Sequence, residues 1–454
     1  MTMNNLPSSI QSVIQTGFLE RRFREPLVAK LGFRDVADRE PFLANIGETI
    51  TKTRTGLLPA VTTPMAAASN TDITSGLTAQ NYPVEQYILS VNQYSANMML
   101  NVATSRVAID SLFLRNAYTL GEQAIRSVDA LAQQALFSAY LGGNTRVITT
   151  LSSAGPTVHV DDIRGFTTTL NGLGQVVAVS GTYTLAVVVG ADTYTLIGAA
   201  ADSVNVSSAI AAGGISGNLT FSANVSVADA TLANVVTSAV APVIMRPVNG
   251  STNTQAVTTA AISPTSAVNA GRLTIQLILA AKAQMSANGV KPLDKTGRYI
   301  CYADPIHMTG LYADPAFQFF FRGRPDTPEY RKGAVAELLG VDIVETNMNP
   351  VQPLAGVGTV RRAIVCGQGA LIEGVMTRTG YEMANAVDDG NLTTIVDDIA
   401  HITREPIDAL KQVVTQSWSY IGGFVAPTDV TANPTTLPTA SNAAYKRAVV
   451  IESL

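Results

Sequence analysis

The stretch that most constrains the fold is residues 105–141, "SRVAIDSLFLRNAYTLGEQAIRSVDALAQQALFSAYL". Val107, Leu114, Ala117, Leu120, Ala124, Val128, Leu131, Ala135 and Phe137 recur at helical spacing. Ser105 or Asp110 could cap the start, and Gly142-Gly143 ends the run. At about 1.5 Å per residue such a helix exceeds roughly 45 Å. A helix of that length acts as a spine, and whatever flanks it must bury its apolar stripe.

The flanks differ in character. Residues 20–40, "ERRFREPLVAKLGFRDVADRE", hold six basic and five acidic side chains, yet no lysine occurs between Lys52 and Lys282. Interleaved charge of this kind is either a solvated face or an arm crossing a neighbour through ion pairs. Pro26 and Pro41 prevent one long helix there. Residues 46–102 are β-rich at both ends, around a Ser/Thr/Asn/Gly stretch from Thr62 to Pro83. That is the composition of a long hairpin with little core of its own.

Beyond the helix, residues 151–260 carry seven charges in all, which predicts a small β domain inserted at 157–255. "YTLAVVVGADTYTLIG" reads as two strands turning at Gly190-Ala191-Asp192, "LTFSANVSV" and "VVTSAVAPVIMRP" as further strands, and "DSVNVSSAIAAGG" as a short helix. "TSAVNAGRLTIQLILAAKAQMSANG" returns to helix with Asn288-Gly289 as its stop. The strands "GRYICYADP", "RRAIVCGQGALIEGV" and "DALKQVVTQSWSYIGGFVAPTD" follow.

Composition narrows the function classes. Apolar residues make up 46% and charged residues 14%, with a mean hydropathy of +0.21. A typical soluble domain carries about 25% charged residues. No window of about 18 apolar residues exists, so no membrane helix is expected, and "MTMNNLPSSIQSVIQ" lacks the regions of a secretory signal. Burial within or between subunits remains as the explanation. A net charge of −4 is too mild for a dedicated nucleic-acid binder. Two cysteines, Cys301 and Cys366, give no disulfide framework and fit a reducing compartment.

Tests for chemistry give little. No Gly-Lys dipeptide exists, which excludes a P-loop. Gly367-x-Gly369 follows a strand as in a dinucleotide loop, but Ile372 stands where the third glycine belongs. Asp397 and His401 lie four apart, a metal spacing if helical, although "TTIVDDIAHITRE" reads as easily as a strand pair. No third ligand and no nucleophile–base pair stands out. The Asn-x-Ser/Thr patterns at Asn205, Asn218, Asn224, Asn249 and Asn391 matter only in a secreted protein. No catalytic, cofactor or metal residue is therefore assigned.

One stretch stands apart. "GLYADPAFQFFFRGRPDTPEYRKGAVAELLGVDIVETNMNP", 310–350, places Phe317, Phe319, Phe320 and Phe321 within five residues of a chain with 6% aromatics. Neighbours on a helix point about 100° apart, so the four rings cannot share one side. Some would enter a core and others face outward, where exposed aromatics mark interfaces, unless all four fill one core.

The order of these segments resembles the major capsid proteins of tailed bacteriophages, with the Hong Kong 97-type fold. "LTIQLILAAKAQMSANGVKPLDKTGRYICYADP" is similar to that family's helix, polar turn and buried strand ending in Asp-Pro. "LYADPAFQFFFRG" resembles the helix that follows, and "YRKGAVAELLGVDIVETNMNP" the turn, Gly-Val strand and Asn-x-Asn-Pro step. The resemblance implies an α+β fold: an N-terminal arm (1–45), an extended hairpin loop (46–102), the spine helix and start of a peripheral domain (103–156), and the inserted β domain (157–255). An axial domain (256–390) and a return to the peripheral domain with a C-terminal tail (391–454) complete it. It implies a non-enzymatic shell subunit that forms hexamers and pentamers around double-stranded DNA, assembled in the host cytoplasm and resident in the virion, with a portal, possible decoration proteins and no membrane. Because the arm begins within about 20 residues of Met1, a separate scaffolding protein or prior processing is expected. Arg21, Arg22, Arg24, Phe317, Phe320 and Phe321 are the candidate inter-subunit contacts. Two rival readings stand beside it. A surface adhesin or S-layer-like protein is suggested by the Ser/Thr-rich β domain, and a metal hydrolase by Asp397 and His401.

Overall fold

A computed structural model describes residues 21–24, 32–42, 47, 49–55, 58, 60–62, 84–101, 109–171, 176–202, 214–247, 255–256, 271–293, 297–321, 337–354, 358–376, 391–404, 409–410, 412–427 and 445–454. The fold is α+β, in two compact units. The first comprises Met1–Ile50, Ile88–Leu136 and Leu371–Ala426. The second comprises Thr51–Tyr87, Phe137–Ala370 and Pro427–Leu454.

The expected spine is a 33-residue helix, Ile109–Leu141, ending at Gly143 with φ 77°. Its buried stripe is Phe113, Ala117, Leu120, Ala124, Val128, Ala132 and Leu136. Leu114, Leu131 and Ala135, expected on that stripe, are only half-buried. In the first unit, Leu120, Ala124 and Val128 pack on Trp418, Tyr420, Val396 and Ile399 of a six-stranded sheet. The strand order is Ala37–Phe42, Leu371–Met376, Val413–Val425, Ile399–Arg404, Asn391–Val396, with Asn92–Asn101 also paired to Val413–Val425. Ala37–Phe42 and Leu371–Met376 are parallel and the other pairs antiparallel. Part of the charged N-terminal segment, expected as an arm, is thus an integral strand. The hairpin 391–404 turns at Asp397 and Asp398, both with positive φ (51° and 64°). Two successive left-handed residues match the right-handed twist of the flanking strands, and Asp tolerates that conformation.

Within the segment expected as a long hairpin, 46–102, Thr49–Thr55 pairs with Val84–Ser90, while Asn92–Asn101 belongs to the six-stranded sheet. The expected hairpin tip, 63–83, lies outside the described residues, as does the helix expected over "DSVNVSSAIAAGG".

The second unit contains two large sheets and the short pair Thr168–Leu170 with Val176–Ala178. One large sheet has the order Gln255–Ala256, Ile244–Pro247, Ala448–Ser453, Gly358–Cys366, Tyr299–Ala303, Val341–Glu345, Glu337–Leu338, with Val351–Leu354 also on Gly358–Cys366. The helix Ile275–Ala287 covers it, sharing a core of Leu277, Ile278, Ala281, Cys301, Val341, Val365 and Ile451. Thr274 caps this helix through Leu277 N, and Asn288-Gly289 ends it as expected, Gly289 at φ 73°.

The other sheet occupies most of the segment read as an inserted β domain, with different boundaries. Its strand order is Asn144–Arg146, Val235–Ser238, Leu185–Val189, Asp192–Ala201, Gly217–Val225, Gly155–Val160. It thus begins at 144 and ends at 238, not 157 and 255. The apolar run "VVTSAVAPVIMRP" is two strands, and the second, Ile244–Pro247, joins the other sheet. The first and last strands meet through a Val147–Val160 bridge, Ile148 N donating to His159 O (3.0 Å) and Asp161 N to Arg146 O (3.1 Å). The sheet therefore closes on itself around Val158, Val160, Val187, Val189, Leu196, Leu219 and Phe221, a closure that removes exposed edges. Gly165 adopts φ +82°, and a Cβ there would lie 2.2 Å from Gly143 N, so both conformation and space require glycine.

Candidate assembly surface

Two Asp-Pro pairs build the aromatic segment. Asp304 caps the helix Pro305–Ala313, its Oδ1 accepting from Ile306 N at 2.7 Å. Asp314 accepts from Ala316 N (3.0 Å) at the start of Pro315–Phe321 and from Ile275 N (2.9 Å), so one carboxylate serves two helix N-termini. Aspartate at the cap followed by proline at the first helical position is a helix-start pattern. Sequence reading treated Asp304-Pro305 as a strand ending and placed Asp314-Pro315 within a helix, without assigning either aspartate a capping role.

The cap fixes where each ring points. Phe317 is 5% exposed, part of the helix–sheet core and edge-on to Tyr312 at 5.5 Å. Phe319 is 75% exposed, and Ile306 on the preceding helix is 48% exposed. Phe320 and Phe321 are within the helix, but their side chains lie outside the described set, as do residues 322–336. Phe317, taken as a candidate contact, is thus an anchor in its own core. Phe319, which the candidate contacts omitted, faces outward among the described rings.

Arg21, Arg22 and Arg24 are exposed on one short helical stretch, and Phe23 between them is fully buried. Phe23 packs with Leu120, Ala124 and Val128 and lies 4.7 Å from the His401 ring. Further along the same charged segment, two arginines that sequence reading did not single out make ion pairs within the unit. Arg34, 8% exposed, donates through Nε to Glu373 Oε1 (2.8 Å) and through Nη1 to Asp397 Oδ2 (2.9 Å). Arg39 Nη1 reaches Asp397 Oδ1 at 2.8 Å. Both arginines therefore clamp the hairpin turn of their own unit. Asp129 of the spine helix accepts from Arg34 N at 3.2 Å. Burial pushes the Asp129 and Asp35 carboxyls up, against the lowering effect of their backbone hydrogen bonds.

The metal spacing Asp397–His401 spans a β-hairpin, not a helix. Asp397 is in the turn, while His401 is fully buried opposite Trp418. Burial pushes the His401 imidazole down to about 4, so it is neutral at pH 7. No group of three or more His, Cys, Asp or Glu side chains suited to a metal occurs among the described residues. The Gly367-x-Gly369 segment is a turn between strands, with Gly369 at φ 71°, and a strand follows where a nucleotide fold needs a helix. Cys301 and Cys366 are fully buried; burial pushes the Cys301 thiol up to about 12, which makes it unreactive. No helix among the described residues is long and apolar enough to cross a membrane.

A buried charge centre in the second unit had no sequence signal. Glu452 accepts from Arg146 Nη2 (2.6 Å), Arg246 Nε (2.6 Å) and Arg362 Nε (3.0 Å), and all four residues are at most 2% exposed. Burial alone would raise the Glu452 carboxyl, but Arg246, Arg146 and Arg362 outweigh it and hold it below the usual carboxylate range. These residues come from four strands distant in sequence.

No family model and no curated protein matches this chain. Solved structures that it resembles are phage capsids. The capsid of Ralstonia phage GP4 is 12% identical, with 92% of this chain and 87% of that chain covered and a TM-score of 0.47. The cyanophage Pam1 capsid is 13% identical over 96% and 92%, at 0.45. The cyanophage P-SCSP1u capsid is 12% identical over 93% and 88%, at 0.43.

Proposed function

We propose that this chain is the major shell subunit of a tailed-phage head. It assembles as hexamers and pentamers of an icosahedral container for double-stranded DNA, and it performs no catalysis. The reading is carried by one observation. The segments that resemble the capsid family in order pack around one core: the helix Ile275–Ala287, the strand Tyr299–Ala303, the Asp-Pro helices and the parallel strand Val341–Glu345. The 33-residue helix and the two-stranded ribbon before it agree with the same plan.

In this reading Phe319 and Ile306 form an apolar contact with a second copy, and Arg21, Arg22 and Arg24 reach a neighbour's carboxylates. A separate scaffolding protein, a portal and decoration proteins are the further partners, DNA is enclosed without sequence-specific contact, and the virion is the site of residence.

Light scattering on the size-fractionated, purified chain tests the reading. Masses at five or six chains, or far above, support it. A stable monomer at all concentrations overturns it.

A further inference from the structure

Thr145, Asp161, Gln352 and Arg362 meet inside the second unit, with exposures of 1, 1, 4 and 0%. Asp161 is the hub. Its Oδ1 accepts the Thr145 hydroxyl and Arg146 N (3.0 Å), and its Oδ2 accepts from Gln352 Nε2. The Gln352 carbonyl oxygen in turn accepts from Arg362 Nη2 at 2.6 Å. A hydroxyl and a carboxamide therefore share the two oxygens of one carboxylate, and a guanidinium sits on the carboxamide oxygen. Thr145 Oγ1 also accepts from Asp162 N at 3.0 Å, which leaves the oxygen one lone pair.

We propose that these four residues form an autocatalytic acyl-transfer centre that joins Thr145 to Gln352 by an ester bond. Thr145 Oγ1 attacks Gln352 Cδ while Asp161 takes the hydroxyl proton. The charge that develops on Gln352 Oε1 is held by Arg362 Nη2, already within hydrogen-bond distance. Asp161 then returns the proton to Nε2, the C–N bond breaks and ammonia leaves. One C–O bond forms, one C–N bond breaks, nothing is oxidised or reduced, and Asp161 is regenerated. No other reactant is needed.

Two physical features favour the step. Holding nucleophile, base and acyl group together removes the entropic cost of bringing them into contact. Near-complete burial also excludes the water that would hydrolyse the ester. The product would tie the strand Asn144–Arg146 of the closed β domain to Val351–Leu354 of the larger sheet.

Intact-mass measurement on the denatured full-length chain, followed by peptide sequencing, tests this. The expected mass is lower than that of the sequence by one ammonia, with a branched peptide joining Thr145 to Gln352. Hydroxylamine should cleave it. Thr145→Val and Asp161→Asn should each keep the full mass. Ammonia loss also accompanies succinimide formation, for which Asn171-Gly172, Asn249-Gly250 and Asn288-Gly289 are sites, but that product maps to one unbranched peptide and persists in Thr145→Val. The full sequence mass in the unaltered protein, or only such unbranched peptides, overturns the proposal. The branched peptide is sought in the unaltered chain, so the outcome does not depend on a variant's folding.

Discussion

Removing one partner of a buried ion pair strands the other charge, at a cost of about 3–5 kcal/mol. Arg34 is in that position, with Glu373 fully buried against it and Tyr420 donating to the same Glu373 oxygen at 2.9 Å; its loss leaves Glu373 with the more exposed Arg39, whose Nε lies 3.3 Å from Oε2. Arg34→Ala is therefore expected to destabilise the first unit by about 3 kcal/mol, and Arg34→Met with Glu373→Gln by less, because no charge is then stranded. Urea unfolding followed by Trp418 fluorescence reads both. The buried histidines set a pH dependence. Burial lowers His401 to about 4, and lowers His307 to about 4 despite the opposing charge of Asp304. Between about pH 6.5 and 4 the unfolded chain binds these protons first, so stability is full above that window and falls through it, by up to roughly 3 kcal/mol per histidine. Glu452 acts lower on the scale. Its depressed carboxyl contributes stability above the ordinary carboxylate range that is lost only as pH falls below it. Asp129 and Asp35, with raised values, oppose both trends. Melting temperatures from pH 7 to 4 should fall, and His401→Phe should flatten the curve.

At the scale of elements, the C-terminal strand Ala448–Ser453 lies between Ile244–Pro247 and Gly358–Cys366, every residue buried. Deleting 448–454 removes the middle of a sheet and Glu452 with it, leaving three buried arginines without their shared carboxylate. The truncated chain is expected to be insoluble, as a solubility assay would show. Gly165→Ala should cost about 3 kcal/mol or more, since it combines backbone strain with a clash against Gly143. Local chemistry made some elements legible beforehand. The Gly190 turn, the Asn288-Gly289 stop, the 391–404 hairpin and the spine helix each carry their own signal within a few residues. Pairings made across the chain do not. The parallel pair of Ala37–Phe42 with Leu371–Met376, and the parting of Val235–Ser238 from Ile244–Pro247, depend on contacts between residues far apart or on a choice between two sheets. The aromatic segment was visible as a feature, but that Phe317 faces inward and Phe319 outward was not. That is set by helix phase, which the caps at Asp304 and Asp314 fix.

For the whole molecule, 14% charged residues is low for a chain meant to stay single in water. Association would bury surfaces such as that of Phe319. Phe319→Ser should leave the melting temperature of the isolated chain nearly unchanged, because the ring is already solvated, while weakening self-association. An Arg21/Arg22/Arg24→Ala variant should likewise fold and assemble poorly, and raised salt should mimic it, since exposed charges are screened within about 8 Å at physiological ionic strength. Electron microscopy of the purified full-length chain addresses the shell reading most directly. The account predicts closed shells, or rings with five- and six-fold symmetric projections. A field of single, unassociated particles, or flat sheets with no five-fold element, would contradict it.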